Sequence, residues 1–269
     1  MTSVKALRLS HPSEAELTTG GIPGDRRFYL IDEAGALFDA SDLGALLQIV
    51  PEYDPATERL LCTFPDGSAV EGTVDTLEGA VTTDFFGRPV EGRLVGNGFS
   101  EAFSGALGRP VRLVRVAREG DGQDAHPLTI VSSASVRDIG SHGEQPDLDA
   151  RRFRINLEVD GCDPYEEDAW DGGLVRIGEA TIRVRGQIPR CIVTTLAPDT
   201  GEKDFRTLNL IARHRPRIEG RNGLPFGMYA EVVDAGFVRV GDPVEPISSR
   251  PGGGTTAAGP SPATRSRAT

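Results

Sequence analysis

The chain has 269 residues and a formal net charge of −11, and its 33 glycines and 19 prolines accompany a hydrophobic fraction of 38%. This length suits one large domain or two smaller ones, and the glycine and proline content favours many short strands over long helices. The negative charge argues against nucleic-acid and membrane-surface partners, which attract basic proteins. The chain has neither a run of about 18 apolar residues nor a signal-peptide core, so we expect a cytoplasmic protein.

Three cysteines, Cys62, Cys162 and Cys191, lie far apart in the sequence. Their odd number and wide spacing argue against a disulfide framework, a structural zinc site and an iron–sulfur cluster. If the protein handles electrons, we therefore expect another protein to deliver them.

The first part of the chain predicts an antiparallel meander, because strand-like runs alternate with turn residues. The predicted strands are Ala15–Thr19, Arg27–Asp32, Leu37–Asp39, Leu60–Phe64, Ala69–Gly72, Val90–Val95 and Val111–Val116. Asp66-Gly67 supplies a tight turn between the fourth and fifth of these strands. The spacing of apolar residues over Gly98–Leu107 predicts a short helix that ends at Gly108.

The polar segment 117–126 predicts an exposed linker between a domain of residues 1–116 and a domain of residues 117–247. The second domain is predicted to contain strands Leu128–Val131, Arg154–Val159, Gly173–Ile177, Ala180–Gly186 and Cys191–Leu196, helices Ser132–Ile139 and Leu208–His214, and a closing hairpin of Tyr229–Val233 with Gly236–Val240. These elements indicate a mixed, β-rich α+β fold. Residues 248–269 bear few large apolar side chains, so we predict a disordered tail.

The segment around Cys191 has the most unusual chemistry. Cys191 follows Pro189 and Arg190 and precedes a run of β-branched residues. An adjacent guanidinium favours the thiolate, which binds metals and attacks electrophiles. The alternative is a plain buried cysteine beside a surface arginine, and the residues alone leave both interpretations open.

A second group of polar residues precedes Leu157. On a strand, Arg152, Arg154 and Asn156 would share one face. Two guanidiniums and an amide on one face would suit a phosphate or a polar heterocycle. The alternative is a solvated face that pairs with the acidic run 166–168.

Motifs in order along the chain resemble the MOSC family, the molybdenum cofactor sulfurase C-terminal domain, together with the β-barrel domain that precedes it in some members. The motifs are Val4-Lys5, Gly24-Asp25-Arg26-Arg27-Phe28, Ser132-Ser133-Ala134-Ser135-Val136, Phe153-Arg154-Ile155-Asn156, Pro189-Arg190-Cys191 with Thr194-Thr195, and Val240-Gly241-Asp242-Pro243-Val244. The likeness covers nearly everything from Val4 to Val244. It implies an N-terminal β-barrel-like domain followed by a MOSC β-barrel domain with short helices.

The resemblance also implies a bound molybdenum cofactor, which is molybdenum held by molybdopterin. Cys191 is then the catalytic residue and the protein ligand to the metal. The cofactor-binding residues implied for the phosphate are Lys5 and Arg26, and those implied for the pterin are Ser132, Ser135, Arg154, Asn156 and Arg190. This chain departs from the family in two places: Ala6 stands where a serine is common, and Asp39–Asp42 brings acidic residues where a Thr-x-Arg segment is common.

The activity that the resemblance implies is reduction of N-hydroxylated small molecules by two-electron oxo transfer. No cysteine follows Cys191, so a separate electron-transfer protein or reductase is expected to supply the electrons. The alternatives are a sulfur carrier with a persulfide on Cys191, or a protein that binds the cofactor without turnover. The content of molybdenum and pterin distinguishes the enzyme from the persulfide carrier.

Overall fold

Short strands joined by tight turns make up most of the computed structural model, which describes residues 1–216 and 223–247. The first half contains β1 (Glu14–Leu17), β2 (Phe28–Ile31), β3 (Leu37–Phe38), β4 (Val50–Asp54), β5 (Arg59–Thr63), β6 (Ala69–Thr73), β7 (Val81–Phe85), β8 (Arg88–Leu94), α1 (Phe99–Leu107) and β9 (Arg112–Val116). The second half contains β10 (Leu128–Ser132), α2 (Ser133–His142), β11 (Leu157–Val159), β12 (Leu174–Ile177), β13 (Ala180–Arg190), α3 (Thr207–His214), β14 (Leu224–Asp234), β15 (Gly236–Arg239) and β16 (Val244–Ile247).

Two sheets and one helix build the first half. The strand order is β3-β2-β9-β8-β7 in the larger sheet and β4-β5-β6 in the smaller one. Helix α1 ends at Gly108, whose φ of 65° is the left-handed conformation that suits glycine at a helix end. Phe28, Phe99 and Phe103 are fully buried, so the apolar faces of these sheets and the helix share one core.

The second half is one six-stranded sheet in the order β11-β10-β14-β13-β12-β16. Only β10 and β11 run parallel there, and the other neighbours are antiparallel. Ser132 caps the start of helix α2, because its hydroxyl accepts a hydrogen bond from the Ala134 N–H at 3.1 Å, as the sequence predicts. The predicted β-rich fold with two barrel-like parts and short helices is confirmed.

Contacts between the ends of the chain join the two halves. Strand β1 pairs antiparallel with β15. The buried carboxylate of Asp25 accepts hydrogen bonds from the Thr2 N–H, from Gln123 and from Asn156. The domain boundary predicted at residue 117 stays a prediction, and the tail predicted for residues 248–269 lies outside the described residues. Within residues 1–216 and 223–247, no helix is long and apolar enough to cross a bilayer.

The predicted strand Arg154–Val159 is wrong over its first three residues. Residues Ala150–Phe153 form a 3-10 helix, because the Asp149 carboxylate accepts the Arg151 N–H at 2.9 Å and caps this turn. Arg154 then ends the turn in the left-handed conformation, with a φ of 54°. The side chains of Arg152, Arg154 and Asn156 therefore do not share a strand face.

The strand predicted over Cys191–Leu196 is also wrong. Residues Ile192–Thr195 form a 3-10 helix, in which the Thr194 and Thr195 hydroxyls donate to the carbonyls of Cys191 and Ile192 at 3.0 and 2.7 Å. Such local bonds compete with a strand ladder. Strand β13 instead continues to Arg190, one residue before Cys191.

The predicted closing hairpin is wrong in its pairing. Strands β14 and β15 both exist, but β10 and β13 occupy the two edges of β14, so β15 pairs with β1. Strands β4, β7 and β16 were not predicted from the sequence. Pro51 and Pro246 lie inside two of them, and proline disfavours a strand prediction although edge strands accept it.

Candidate functional site

A cavity of about 120 Å³ lies between the two halves, and we call it the Cys191 cleft. Cys191 itself is exposed at this cleft. The charged or reactive side chains that line it are Lys5, Arg26, Asp39, Asp124, His126, Arg152, Arg154, Arg190, Cys191 and Tyr229. Residues from both ends of the chain therefore build the site.

Lys5 and Asp124 form an ion pair at the wall of the cleft. The Lys5 ammonium contacts the Asp124 carboxylate and donates to the Gly122 carbonyl at 3.1 Å. Burial alone would raise the pKa of Asp124, but the charge and hydrogen bond of Lys5 hold that pKa below its usual value. Segment 117–126 is an irregular loop with exposed residues, as predicted, and its residues Gln123, Asp124 and His126 also line the cleft.

The positive charges of Arg26 and Arg154 lie close enough to repel each other. Arg26 donates to Asp25 Oδ2 at 2.5 Å and to the Arg154 carbonyl at 3.0 Å. The Arg154 guanidinium donates to the Leu7 carbonyl at 2.7 Å. Burial, and then the nearby charge of Arg26, lower the pKa of Arg154 to about 10. A bound anion would stabilise this pair of cations.

One N–H group of the Arg190 guanidinium makes no hydrogen bond to the described residues. Its Nε and Nη1 donate to the carbonyls of Phe226 and Phe153 at 2.7 and 2.9 Å. Its Nη2 is buried and has no hydrogen-bond partner in the described part of the chain. A Cβ at Gly227 would lie 3.2 Å from this nitrogen, and Gly227 has a φ of 73°, so glycine leaves the donor room. A buried donor without a partner indicates a missing acceptor.

The environment of Cys191 favours the thiol. Partial desolvation of the sulfur by the cleft wall raises its pKa, and the carboxylates of Asp39 and Asp124 raise it further. The Val193 N–H and, less strongly, Arg190 act in the opposite direction. Arg190 lowers the pKa of Cys191, as predicted, but desolvation and the two carboxylates outweigh it, so the pKa is raised overall. The interpretation as a plain buried cysteine is wrong, because Cys191 is exposed.

Three predicted cofactor residues lie outside the cleft. Ser132 is fully buried at the start of α2, and Ser135 is fully buried with its hydroxyl on the Glu167 carboxylate at 2.8 Å. Asn156 donates to Asp25 and accepts from the Thr129 hydroxyl, both at 2.9 Å. These hydrogen bonds stabilise the protein around the site. A direct cofactor contact for these residues stays a prediction that their placement does not support.

Ala6 and Asp39, one residue from each departure from the family, line the cleft. Ala6 is buried with a φ of 71°, a left-handed conformation that is costly for alanine. Asp39 is held at the cleft by Ser41, whose N–H and hydroxyl donate to Asp39 Oδ1 at 2.7 and 2.6 Å.

Sequence reasoning missed Asp124, His126 and Tyr229 as lining residues. The first two lie in the segment predicted as a linker, and only the tertiary contact with Lys5 brings that segment inward. Arg152 was assigned to a strand face, yet it donates to the carbonyls of Thr194 and Leu196, just after Cys191. No local pattern indicates these contacts.

Comparison with known proteins gives matches over most of the chain. The family model described as "MOSC domain" matches residues 117–245, and that described as "MOSC N-terminal beta barrel domain" matches residues 3–110. The chain is 29% identical to "Mitochondrial amidoxime-reducing component 1" of Homo sapiens over 90% of this chain and 79% of that protein. It is 29% identical to "Mitochondrial amidoxime reducing component 2" of Homo sapiens over 90% of this chain and 80% of that protein. It is 28% identical to "Molybdenum cofactor sulfurase" of Oryza sativa subsp. japonica over 74% of this chain and 28% of that protein.

Proposed function

Because this chain belongs to the MOSC domain family, with a MOSC N-terminal beta barrel domain before it, we propose that it is a molybdenum-cofactor-dependent reductase of N-hydroxylated small molecules. The names of its relatives, an amidoxime-reducing component and a molybdenum cofactor sulfurase, support an association with this cofactor. The observation that carries the proposal is the convergence of the Cys191 thiol and four cations, Lys5, Arg26, Arg154 and Arg190, on one cleft.

The residues of the cleft fit such a cofactor. The Lys5 ammonium and the Arg26 guanidinium suit a phosphate dianion, because charge-assisted bonds to phosphate are strong. The unpartnered Nη2 of Arg190 suits an acceptor atom on a polar ring. The exposed sulfur of Cys191 suits a metal that prefers soft ligands.

Each side chain then has a role. Lys5 and Arg26 would bind the phosphate, Arg154 and Arg190 would bind the pterin, and Cys191 would ligate the metal. Carboxylates hold Lys5 and Arg26 in place beforehand, so little ordering remains when the phosphate binds. When bound, the cofactor supplies a metal that cycles by two electrons and takes the oxygen of an N–O bond. The electrons would come from a separate carrier protein or reductase, and the cytoplasmic location stays a prediction.

The persulfide alternative has less support. A sulfur carrier needs an accessible cysteine with a low pKa. Cys191 is accessible, but burial and two carboxylates raise its pKa. This environment favours a thiol that is deprotonated only when a metal binds it.

Substitution of Cys191 tests the proposal. The parent protein should contain about one molybdenum and one pterin per chain and should reduce benzamidoxime with reduced methyl viologen as electron donor. Cys191→Ser replaces a soft ligand by a hard one, so reduction should fall to background. Pterin should remain in part, because the four cations are unchanged. Elemental analysis, pterin fluorescence and product formation give the three measurements.

Cys162→Ser is the matched control, since Cys162 lies outside the cleft and only donates to the Ser132 hydroxyl at 3.3 Å. This variant should stay active. A Cys191→Ser variant as active as the parent would contradict the metal-ligand role. Labile sulfur on Cys191 in a parent protein without molybdenum or pterin would favour the persulfide carrier instead.

A further inference from the structure

His126 lines the Cys191 cleft, yet none of the cofactor-binding roles uses it. Its side chain also lines a second cavity of about 480 Å³, which we call the outer groove and which Asp168, Asp171 and Arg185 border. One imidazole thus forms part of the wall between the two spaces. We propose that His126 is a proton-transfer residue that carries protons from the outer groove into the Cys191 cleft. This inference rests on the proposed reduction of N-hydroxylated compounds.

A carboxylate on strand β14 orients the imidazole ring. His126 Nδ1 lies 3.2 Å from Glu231 Oε1. Glu231 Oε2 in turn accepts from Arg185 Nε at 2.9 Å, which fixes the carboxylate on β13 and β14. Nδ1 faces the partly exposed Glu231 carboxylate, so a proton can enter at Nδ1 through that carboxylate while Nε2 releases another, and the ring need not turn. The Tyr229 ring packs against the imidazole with 5.3 Å between ring centroids.

The backbone that carries His126 is also fixed. Lys5 binds Gly122 and Asp124 just before it, and Gln123 donates to Asp25 at 2.8 Å. Arg88 donates to the Asp121 and Gln123 carbonyls at 2.8 and 2.5 Å. Strand β10 begins two residues after His126. These contacts therefore hold the imidazole ring in the wall between the two cavities. A residue that transfers protons between the cavities must be positioned in this way.

The chemistry needs such a residue. Reduction of R₂N–OH to R₂NH and water breaks the N–O bond and takes up two electrons and two protons. One proton goes to nitrogen and one goes to the departing oxygen, while the carrier protein supplies the electrons. Among the described residues that line the cleft, His126 alone also borders the outer groove. The guanidiniums of the cleft hold their protons too tightly, and Cys191 is assigned to the metal. An imidazole exchanges protons readily near neutral pH.

His126→Gln tests this step, because glutamine keeps a polar side chain of similar reach and cannot transfer a proton. In benzamidoxime reduction by reduced methyl viologen, kcat should fall about 10²-fold or more, the usual contribution of general acid catalysis. Molybdenum and pterin content should equal those of the parent. In His126→Ala, added imidazole and methylimidazoles of graded acidity should restore part of kcat, with a rate that varies with the acidity of the added base. A purely structural role would not give such rescue.

His142→Gln is the matched control, since His142 also lies near a carboxylate, Asp138 at 3.6 Å, but on helix α2 and outside both cavities. Its kcat should stay within twofold of the parent. If the parent is active and His126→Gln is equally active, this inference alone is overturned. The same holds if His126→Ala retains the cofactor and added imidazoles do not restore kcat. A parent that holds cofactor and reduces no N-hydroxylated compound would overturn the proposed function and this inference with it.

Discussion

Asp39 influences the Cys191 thiol more strongly than the neighbouring Arg190 does. The two hydrogen bonds from Ser41 fix Asp39 Oδ1 at the cleft. Its charge raises the pKa of Cys191, whereas the smaller effect of Arg190 lowers it. Adjacency in sequence is therefore a poor guide to electrostatics here, because the Arg190 side chain turns to backbone carbonyls.

Asp39→Asn should lower the pKa of Cys191 in the cofactor-free protein. Removal of a negative charge favours the thiolate, so alkylation of Cys191 by iodoacetamide should be faster at a fixed pH near 8. Peptide mass spectrometry at a series of pH values measures this for each cysteine. Asp42→Asn is the control, because Asp42 caps the Asp39 N–H and does not line the cleft. Equal alkylation in parent and Asp39→Asn would contradict the electrostatic role.

Single residues differ in how well the sequence predicts them. Lys5, Arg26, Arg154, Arg190 and Cys191 belong to linear motifs, and all of them line the cleft. Ser132 and Ser135 belong to a motif as well, but a serine hydroxyl can serve a helix start or a ligand equally well. Asp124 and His126 depend on contacts with distant strands, and no local pattern encodes such contacts.

Asp25 connects three elements through one buried carboxylate. Its side chain is fully buried and pairs with Arg26. The Thr2 N–H and the amides of Gln123 and Asn156 donate to it at 2.8, 2.8 and 2.9 Å. The N-terminus, segment 117–126 and the approach to β11 are thus held at one point.

Asp25→Asn should lower the free energy of unfolding by about 3 kcal/mol at pH 7, because it leaves Arg26 as a buried charge without its partner. Burial alone would raise the pKa of Asp25, but Arg26 and the donated hydrogen bonds keep it below its ordinary value. The charged form is thus favoured by folding. This contribution is present above the ordinary carboxyl pKa and is lost as pH falls through the lowered one, so the two proteins should converge in acid.

Urea unfolding of parent and variant at several pH values measures this difference. The control is Asp147→Asn, since Asp147 is exposed and such surface changes stay within about 0.5 kcal/mol. A constant difference between parent and Asp25→Asn at all pH values would contradict the electrostatic origin.

Helices, strands and turns were predicted correctly where local chemistry determines the backbone conformation. They were predicted wrongly where contacts with distant residues determine it. The β5–β6 hairpin with Asp66-Gly67 and the end of α1 at Gly108 follow from turn and helix-end chemistry. The alternation of Arg152, Phe153 and Arg154 mimics a strand, yet Asp149 caps a helical turn there. The Arg152 side chain then binds carbonyls beyond Cys191, a contact that no sequence period reveals.

At the scale of the whole molecule, β16 closes one edge of the six-stranded sheet. It pairs with β12 from Val244 opposite Ile177 to Ile247 opposite Leu174. Most of its side chains are exposed, and Val244 is partly buried against the core. The described chain therefore has a strand at its C-terminal end whose removal would open the edge of β12.

Truncation after Ile247 should leave thermal stability and molybdenum content unchanged, since residues 248–269 have too little apolar surface to pack. Truncation after Asp242 should lower the free energy of unfolding by about 1 kcal/mol through the lost burial of Val244. Thermal melts of both proteins compare the two cuts directly. Loss of stability or metal with the first cut would contradict the composition argument.

The class of fold follows from composition and turn spacing, whereas the partner of each strand does not. The alternation in β1 and β15 predicts two strands without indicating that they pair with each other. Strand β15 cannot pair with β14, because β10 and β13 occupy both edges of β14, and it therefore pairs with β1.

The pairing of β1 with β15 affects how the protein folds during its synthesis on the ribosome. Residues 14–17 leave the exit tunnel long before their partners, residues 236–239. Such non-local contacts slow folding. The Cys191 cleft, which needs Lys5 and Arg26 as well as Arg190, can assemble only after most of the chain has emerged. Under the proposed function, insertion of the cofactor would therefore be a late event, and in a cell starved of molybdenum Arg26 and Arg154 would stay crowded without an anion between them.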